Sequence, residues 1–460
     1  MYGRRNMLLI ATLWTGAWGL GCGFAPDEVS VDVMRALQGL GPAGAIPACM
    51  GILAQSFPEG TSIRTIAFAT FSSGAPIGAA LANVLSGFLT EYTHPGWRYA
   101  LWAQAGLSFL TTLMTLVFIF PDSQTHLAGK PFSARRGLWK TIDWFGIALI
   151  TSGLILLVFS IGYGESATPH QWKTPYIPVL LILSAILIIA FVFWEAHLGG
   201  WPSQDMDESF STGLQPLLKL SIFKRGEWAL SAMLGIALFV WAGFTGWIFF
   251  AVLYYQSYLG LAPVPQMLRL LPTTGAGLFA NISVAILVGR VHGLFLVMAG
   301  CILTSLAPLL FAVIDVDETF WTYGFFSAIL CVFGSDYIFV SGTLLMAKVS
   351  RPEEQSLSGG LFIIVTQIGT SIGLSLCSIV MDHLAARKAR ELGSVVGSGA
   401  QAINNAPREA LLAGYRGAQW VNFGYCMMGL ILAVLFLRHV GIVAPEGPPG
   451  KSEDGEKTTA

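Results

Sequence analysis

Residues 228–253 read WALSAMLGIALFVWAGFTGWIFFAVL, twenty-six positions from Trp228 to Leu253 without one charged side chain. About 20 apolar residues in a helix cross the hydrocarbon layer of a bilayer. The run is continuous and lacks the strict alternation of a barrel strand, so it predicts a membrane-spanning α-helix. Working outward, comparable stretches fall near 267–289, 293–314, 320–347, 357–381 and 419–440 on one side. On the other side they fall near 6–25, 31–56, 65–90, 98–120, 143–163 and 176–198, which makes twelve spans in an all-α polytopic membrane protein.

Composition supports this. Of 460 residues 54% are hydrophobic and 11% charged, against about 25% charged in a soluble domain. The mean hydropathy is +0.66. The net charge of −1 gives no reason to expect a nucleic-acid partner. The six cysteines all fall in apolar segments with no paired spacing, and the seven histidines are scattered, so no metal, cofactor or disulfide framework is expected. No His/Asp/Glu or Ser/His cluster suggests an enzyme.

Polar stretches at 121–142, 199–227 and 382–418 divide the spans, and the tail from 441, rich in Pro, Gly, Lys and Glu, reads as disordered. With the N-terminus cytoplasmic, the loops on that side collect sixteen Lys and Arg and those on the other side eight, five of these in the 382–418 loop. The balance places both termini in the cytoplasm.

Ionisable groups at membrane depth are costly and need a partner or a purpose. Arg35 and Asp336 stand out, Arg35 with Gln38 three residues on, on the same helix face. Gln367, Ser371, Ser375 and Ser378 form a stripe at helical spacing, and Asn83, Gln104 and Asn281 add single polar groups. One reading makes these groups the lining of a water-filled cavity, with Asp336 exchanging protons and Arg35 governing its occupancy. The other makes them contacts that hold neighbouring helices together. Gly74, Gly78, Ala82 and Ser86 recur every four residues, with Pro76 between, a pattern that lets two backbones approach and one helix bend.

Several motifs carry a family resemblance. Arg35-Ala-Leu-Gln38-Gly39-Leu-Gly41-Pro-Ala resembles the fourth-helix signature of the major facilitator superfamily. Gly74-Ala-Pro76-Ile-Gly78, followed by Gly87 and Gly96-Trp97-Arg98, resembles its fifth-helix antiporter motif and the start of the sixth helix. Ile142-Asp143-Trp144-Phe145-Gly146 resembles the beginning of the extra central helix pair of fourteen-span members. Gly334-Ser-Asp336, Arg351-Pro-Glu-Glu-Gln355 and Gln367-Ile-Gly-Thr-Ser371-Ile372-Gly373-Leu374 resemble the fungal drug:proton antiporter-2 family, in its aminotriazole-resistance and low-affinity ammonium transporter-like subgroup.

The resemblance implies two helix bundles working by alternating access, as a monomer carrying a small molecule and protons through the lipid bilayer. It divides the chain into a partial N-terminal bundle at 1–120, a central loop and helix pair at 121–227, a C-terminal six-helix bundle at 228–440 and a cytoplasmic tail at 441–460. Arg35, Gln38, Asp336, Gln367 and Asn281 would line the substrate and proton pathway, and Gly74, Pro76 and Gly78 would shape the packing of the fifth helix. The family loop Gly-x-Leu-Ala-Asp-Arg-x-Gly-Arg-Arg is represented only by Tyr2-Gly3-Arg4-Arg5. The twelve spans therefore match family helices 3 to 14, and a late-starting gene model is favoured over a crippled product. The expected function is proton-linked export of a drug, toxin or secondary metabolite, at the plasma membrane in preference to the vacuole. Ammonium or small-cation transport is the alternative within the fold, and a non-transporting receptor or truncated inactive product the alternative outside it.

Overall fold

The computed structural model describes residues 4–57, 62–94, 96–119, 143–164, 172, 174–199, 217, 223, 228–349, 355–394, 406–438 and 441. Twelve α-helices fill these segments, and no β-strand occurs among the described residues. The first four are α1 (Arg4–Phe24), α2 (Glu28–Ser56), α3 (Ser62–Tyr92) and α4 (Gly96–Phe118). Next come α5 (Trp144–Tyr163) and α6 (Tyr176–Gly199). The last six are α7 (Ala229–Leu253), α8 (Pro263–Leu287), α9 (Gly293–Ala312), α10 (Gly324–Val349), α11 (Gln355–Glu391) and α12 (Arg408–Phe436). All but α3 also meet the length and hydropathy required to cross a membrane, and α3 is a 31-residue helix packed among them.

Local chemistry sets several ends. Asp27 caps α2, accepting from Ser30 N at 3.3 Å and Ser30 Oγ at 2.6 Å. Asp143 caps α5 through Gly146 N at 2.9 Å. Pro263 sits in the first turn of α8, where a missing N–H breaks no helical bond. Beyond Leu253, α7 widens into a single π turn, Tyr254–Tyr258.

Helices α1, α2 and α4 pack together with α3 against α4, and α7 to α12 form a second, denser group. Both buried hydrophobic clusters lie wholly between residues 229 and 437. One is built on Trp247, Phe250, Tyr254, Phe311 and Tyr415, the other on Leu230, Met233, Val240, Ile338 and Phe362. The hairpin α5–α6 leans on α11 through α5. The two groups meet mainly where α3 lies along α8, with a smaller contact of α2 on α11.

The stretch expected to be a loop at 382–418 is largely helical. Helix α11 continues to Glu391 and α12 begins at Arg408. Hydropathy marks only the part of a helix that suits lipid, whereas Ala-Ala-Arg-Lys-Ala-Arg-Glu keeps high helix propensity after the apolar run stops. Arg387 and Lys388 each reach Glu391 at 3.3 Å, pairs that need helical spacing. Arg408 donates to Tyr258 O at 3.0 Å and lies over the Tyr258 ring at 5.0 Å. Arg390 donates to Ala386 O at 3.3 Å and Arg416 to Ile314 O, so all five cations that ran against the charge rule are tied to neighbouring groups. The stretch 121–142, nearly all of 200–227 and the tail after 441 lie outside the described residues.

Candidate functional site

The polar residues picked out in the sequence fall into separate places. Arg35 lies on an exposed face of α2, its Nη1 3.3 Å from Gln38 Oε1 and 3.5 Å from Gln104 Oε1 on α4. Among the described residues it has no carboxylate partner. Gln38 is buried against α1: its Nε2 reaches Thr15 O at 3.5 Å, and a Cβ on Gly19 would stand 2.7 Å from that nitrogen. The guanidinium is thus held by two neutral amides. Asn83 is exposed on α3.

Asp336, half-buried on α10, occupies a junction of three helices. A Cβ built on Gly277 of α8 would meet Pro76 Cβ of α3 at 2.9 Å and Asp336 Oδ2 at 3.4 Å. Asn281, one turn beyond Gly277, is buried beside Asp336 and donates its Nδ2 to Gly277 O at 3.0 Å. The Asn281 Oδ1 finds no hydrogen-bond donor among the described residues. No Lys, Arg or His among the described residues pairs with the carboxylate, and Arg35 is not part of this junction.

The junction continues along the seam between α3 and α8. Met267 of α8 stands 3.2 Å from the position of a Cβ on Gly87, and Glu91 Oε2 accepts from Val264 N at 2.8 Å. Val264 is flanked by Pro263 and Pro265, which have no N–H, so its amide is the donor this helix start offers. From Pro76 to Glu91 the seam runs about 22 Å at 1.5 Å per residue. Positions 76, 87 and 91 lie close to one face of α3. Gly74 and Gly78, two residues to either side of Pro76, lie about 200° around the helix from it, and a Cβ on either would meet nothing within 4 Å. The contact is therefore made by Pro76 against Gly277 and by Gly87 against Met267.

Two hydroxyls of the α11 stripe are satisfied within their own helix. Ser371 Oγ donates to Gln367 O at 3.1 Å and Ser375 Oγ to Ser371 O at 2.8 Å. Ser375 also lies 3.5 Å from a Cβ placed on Gly162, so this part of the stripe faces α5, while the Gln367 side chain is exposed. The Asp-Trp-Phe-Gly motif proves to be a clamp: Asp143 Oδ2 accepts from Trp194 Nε1 of α6 at 2.8 Å, and the rings of Phe145 and Trp194 meet edge-on at 4.8 Å. A Cβ on Gly146 would fall 2.1 Å from Asp143 Oδ2, which explains the glycine.

Sequence reading missed Gly277, Glu91 and a buried chain between α11 and α12, in which Cys377 Sγ donates to Asn422 Oδ1 at 3.0 Å and Asn422 Nδ2 to Gln419 Oε1 at 3.2 Å. Glu91 carried a usable signal, an acid at a helix end near a proline-flanked helix start. Gly277 carried none, since 52 glycines occur and only the packing distinguishes this one. No cluster of three or more His, Cys, Asp or Glu able to hold a metal occurs among the described residues.

Comparison with known proteins places this geometry. A family profile described as Major Facilitator Superfamily matches residues 1–374. The efflux pump terJ of Aspergillus terreus is 25% identical over 441 residues, covering 95% of this chain and 76% of that protein. The low affinity ammonium transporter of Saccharomyces cerevisiae is 23% identical, covering 95% and 76%. The aminotriazole resistance protein of the same yeast is 24% identical, covering 95% and 72%. The crystal structure of the peptide transporter POT superposes with a TM-score of 0.57 at 15% identity, covering 97% of this chain and 82% of that one. At that identity the likeness is one of fold.

Proposed function

The chain belongs to the Major Facilitator Superfamily, a multi-pass membrane transporter for small molecules, and from that premise we propose that it is a proton-coupled antiporter exporting a small organic compound. Asp336 exchanges the proton. The observation that carries this reading is a lone carboxylate, without a cationic partner among the described residues, where α8 and α10 meet α3 of the other group. An ionised acid at membrane depth is expensive to keep as a structural contact, whereas one that alternates between charged and neutral forms suits a proton relay. Protonation at Asp336 supplies an O–H donor beside Asn281, whose Oδ1 lacks one.

In this reading the domain division is that expected from the sequence, and the two groups rock about the α3–α8 seam. Arg35, held by Gln38 and Gln104, is a cation of the pathway in the first group, apart from the Asp336 junction. Gln367 and Asn281 complete the pathway, and Gly74, Pro76 and Gly78 govern the bend of α3. With the termini cytoplasmic, the Glu91–Val264 end of the seam faces outward, at the plasma membrane. The protein acts as a monomer.

The test uses the full chain in proteoliposomes with aminotriazole as the probe, a choice prompted by the relative named for resistance to it. Export driven by an inward proton gradient is expected, and Asp336→Asn should cut the driven component at least about tenfold, equivalent to about 1.4 kcal/mol on the barrier. Retention of wild-type pH dependence in Asp336→Asn would rule out the assignment. The likeness to an ammonium transporter keeps uptake of a small cation as the second reading. Faster methylammonium accumulation in a nitrogen-starved host, without aminotriazole resistance in a sensitive one, would favour it.

A further inference from the structure

Three side chains from three helices converge on Gly277. Pro76 of α3 comes within 2.9 Å of where a Cβ would be, Asp336 Oδ2 of α10 within 3.4 Å, and the carbonyl of Gly277 itself accepts from Asn281 Nδ2 at 3.0 Å. A proline ring is rigid and offers no rotamer by which to withdraw. An approach under 3.0 Å therefore means that a methyl group at position 277 and the observed seam exclude each other. Gly275, two residues earlier on the same helix, has nothing within 4 Å, so the crowding belongs to Gly277 and not to α8 as a whole.

We propose that Gly277 is a positioning residue that links the proton site to the movement of the two helix groups, by letting Asp336 and Pro76 touch the same point of α8. This rests on the reading of Asp336 as the proton-exchanging group. Whatever shifts Asp336 relative to α8, including a change in what it exchanges with Asn281, alters the space that Pro76 occupies. Separation of α3 from α8 conversely uncovers the carboxylate on that side. Gly277 has no side chain to offer a substrate, so the residue governs coupling and not recognition.

The experiment compares gradient-driven with downhill flux of aminotriazole in proteoliposomes of the full chain. Gly277→Ala should lower the driven component about tenfold and flatten its pH profile, with downhill flux within about twofold of wild type, the signature of lost coupling between two equilibria. Gly275→Ala should leave the pH profile intact. Adding Pro76→Gly to Gly277→Ala removes the clashing Cβ and should restore part of the driven flux. A wild-type pH profile in Gly277→Ala overturns the inference. So does an equal loss of driven and downhill flux that Pro76→Gly does not rescue, since that marks a packing defect alone. Wild-type pH dependence in Asp336→Asn would instead bring down the proton-site reading itself, whereas its loss there with normal behaviour of Gly277→Ala brings down only this proposal.

Discussion

Helices α1–α4 and α7–α12 are both built mainly of apolar residues, yet they differ in where they place most of their polar ones. The first group keeps Arg35, Gln104 and Asn83 on exposed faces and buries Gln38. The second encloses Asn281, Ser327, Ser335, Ser341, Gln419 and Asn422. Most of the enclosed hydroxyls are answered by backbone carbonyls, as Ser327 Oγ is by Ala307 O at 2.8 Å and Thr304 Oγ1 by Cys331 O at 3.0 Å. Apolar exposure says little in a membrane protein, because lipid is as apolar as leucine. Polar placement says more. In the second group such residues are mostly part of the packing, and Asp336 stands out as the acid that the packing does not neutralise.

The largest effect should separate the two groups directly. Trp247 is 1% exposed, edge-on to Phe311 at 5.7 Å, and Trp247→Ala should cost about 3–5 kcal/mol. Phe109 on α4 is 37% exposed, and Phe109→Ala should cost under about 1 kcal/mol. Thermal unfolding in detergent checks both, and equal losses would erase the contrast. A smaller effect concerns the hairpin between the groups. Asp143→Ala removes the acceptor for Gly146 N and Trp194 Nε1 and should cost about 1–2 kcal/mol. Amide exchange should quicken in the first turn of α5 and leave α7–α12 unchanged; faster exchange in α7–α12 would mean that the hairpin braces the core. The smallest concerns α3: Gly78→Ala, with open space around the new methyl, should stabilise the helix by up to about 1 kcal/mol. Destabilisation would show that a partner packs against this face.

Much of the fold was legible. Ten of the twelve helices begin and end within about four residues of the apolar stretches, since hydropathy is a local property that a lipid layer reads directly. The exceptions, α11 and α12, extend beyond the membrane-suited run on propensity and ion pairs that a hydropathy reading does not weigh. Site residues were legible as types and not as neighbours. Arg35 and Gln38 were paired correctly by spacing within one helix. The serine stripe was equally periodic, yet the hydroxyls of Ser371 and Ser375 bond along their own helix.

The sequence by itself determined that this is a bundle of membrane helices of the facilitator type, because apolar length, charge placement and short motifs act within one helix at a time. Only the tertiary structure decided that Pro76, Gly277 and Asp336, spread over some 260 positions of chain, share a single point. Contact between helices depends on the angle and depth at which ridges enter grooves, and no periodicity in one strand of sequence encodes which face another helix will cover.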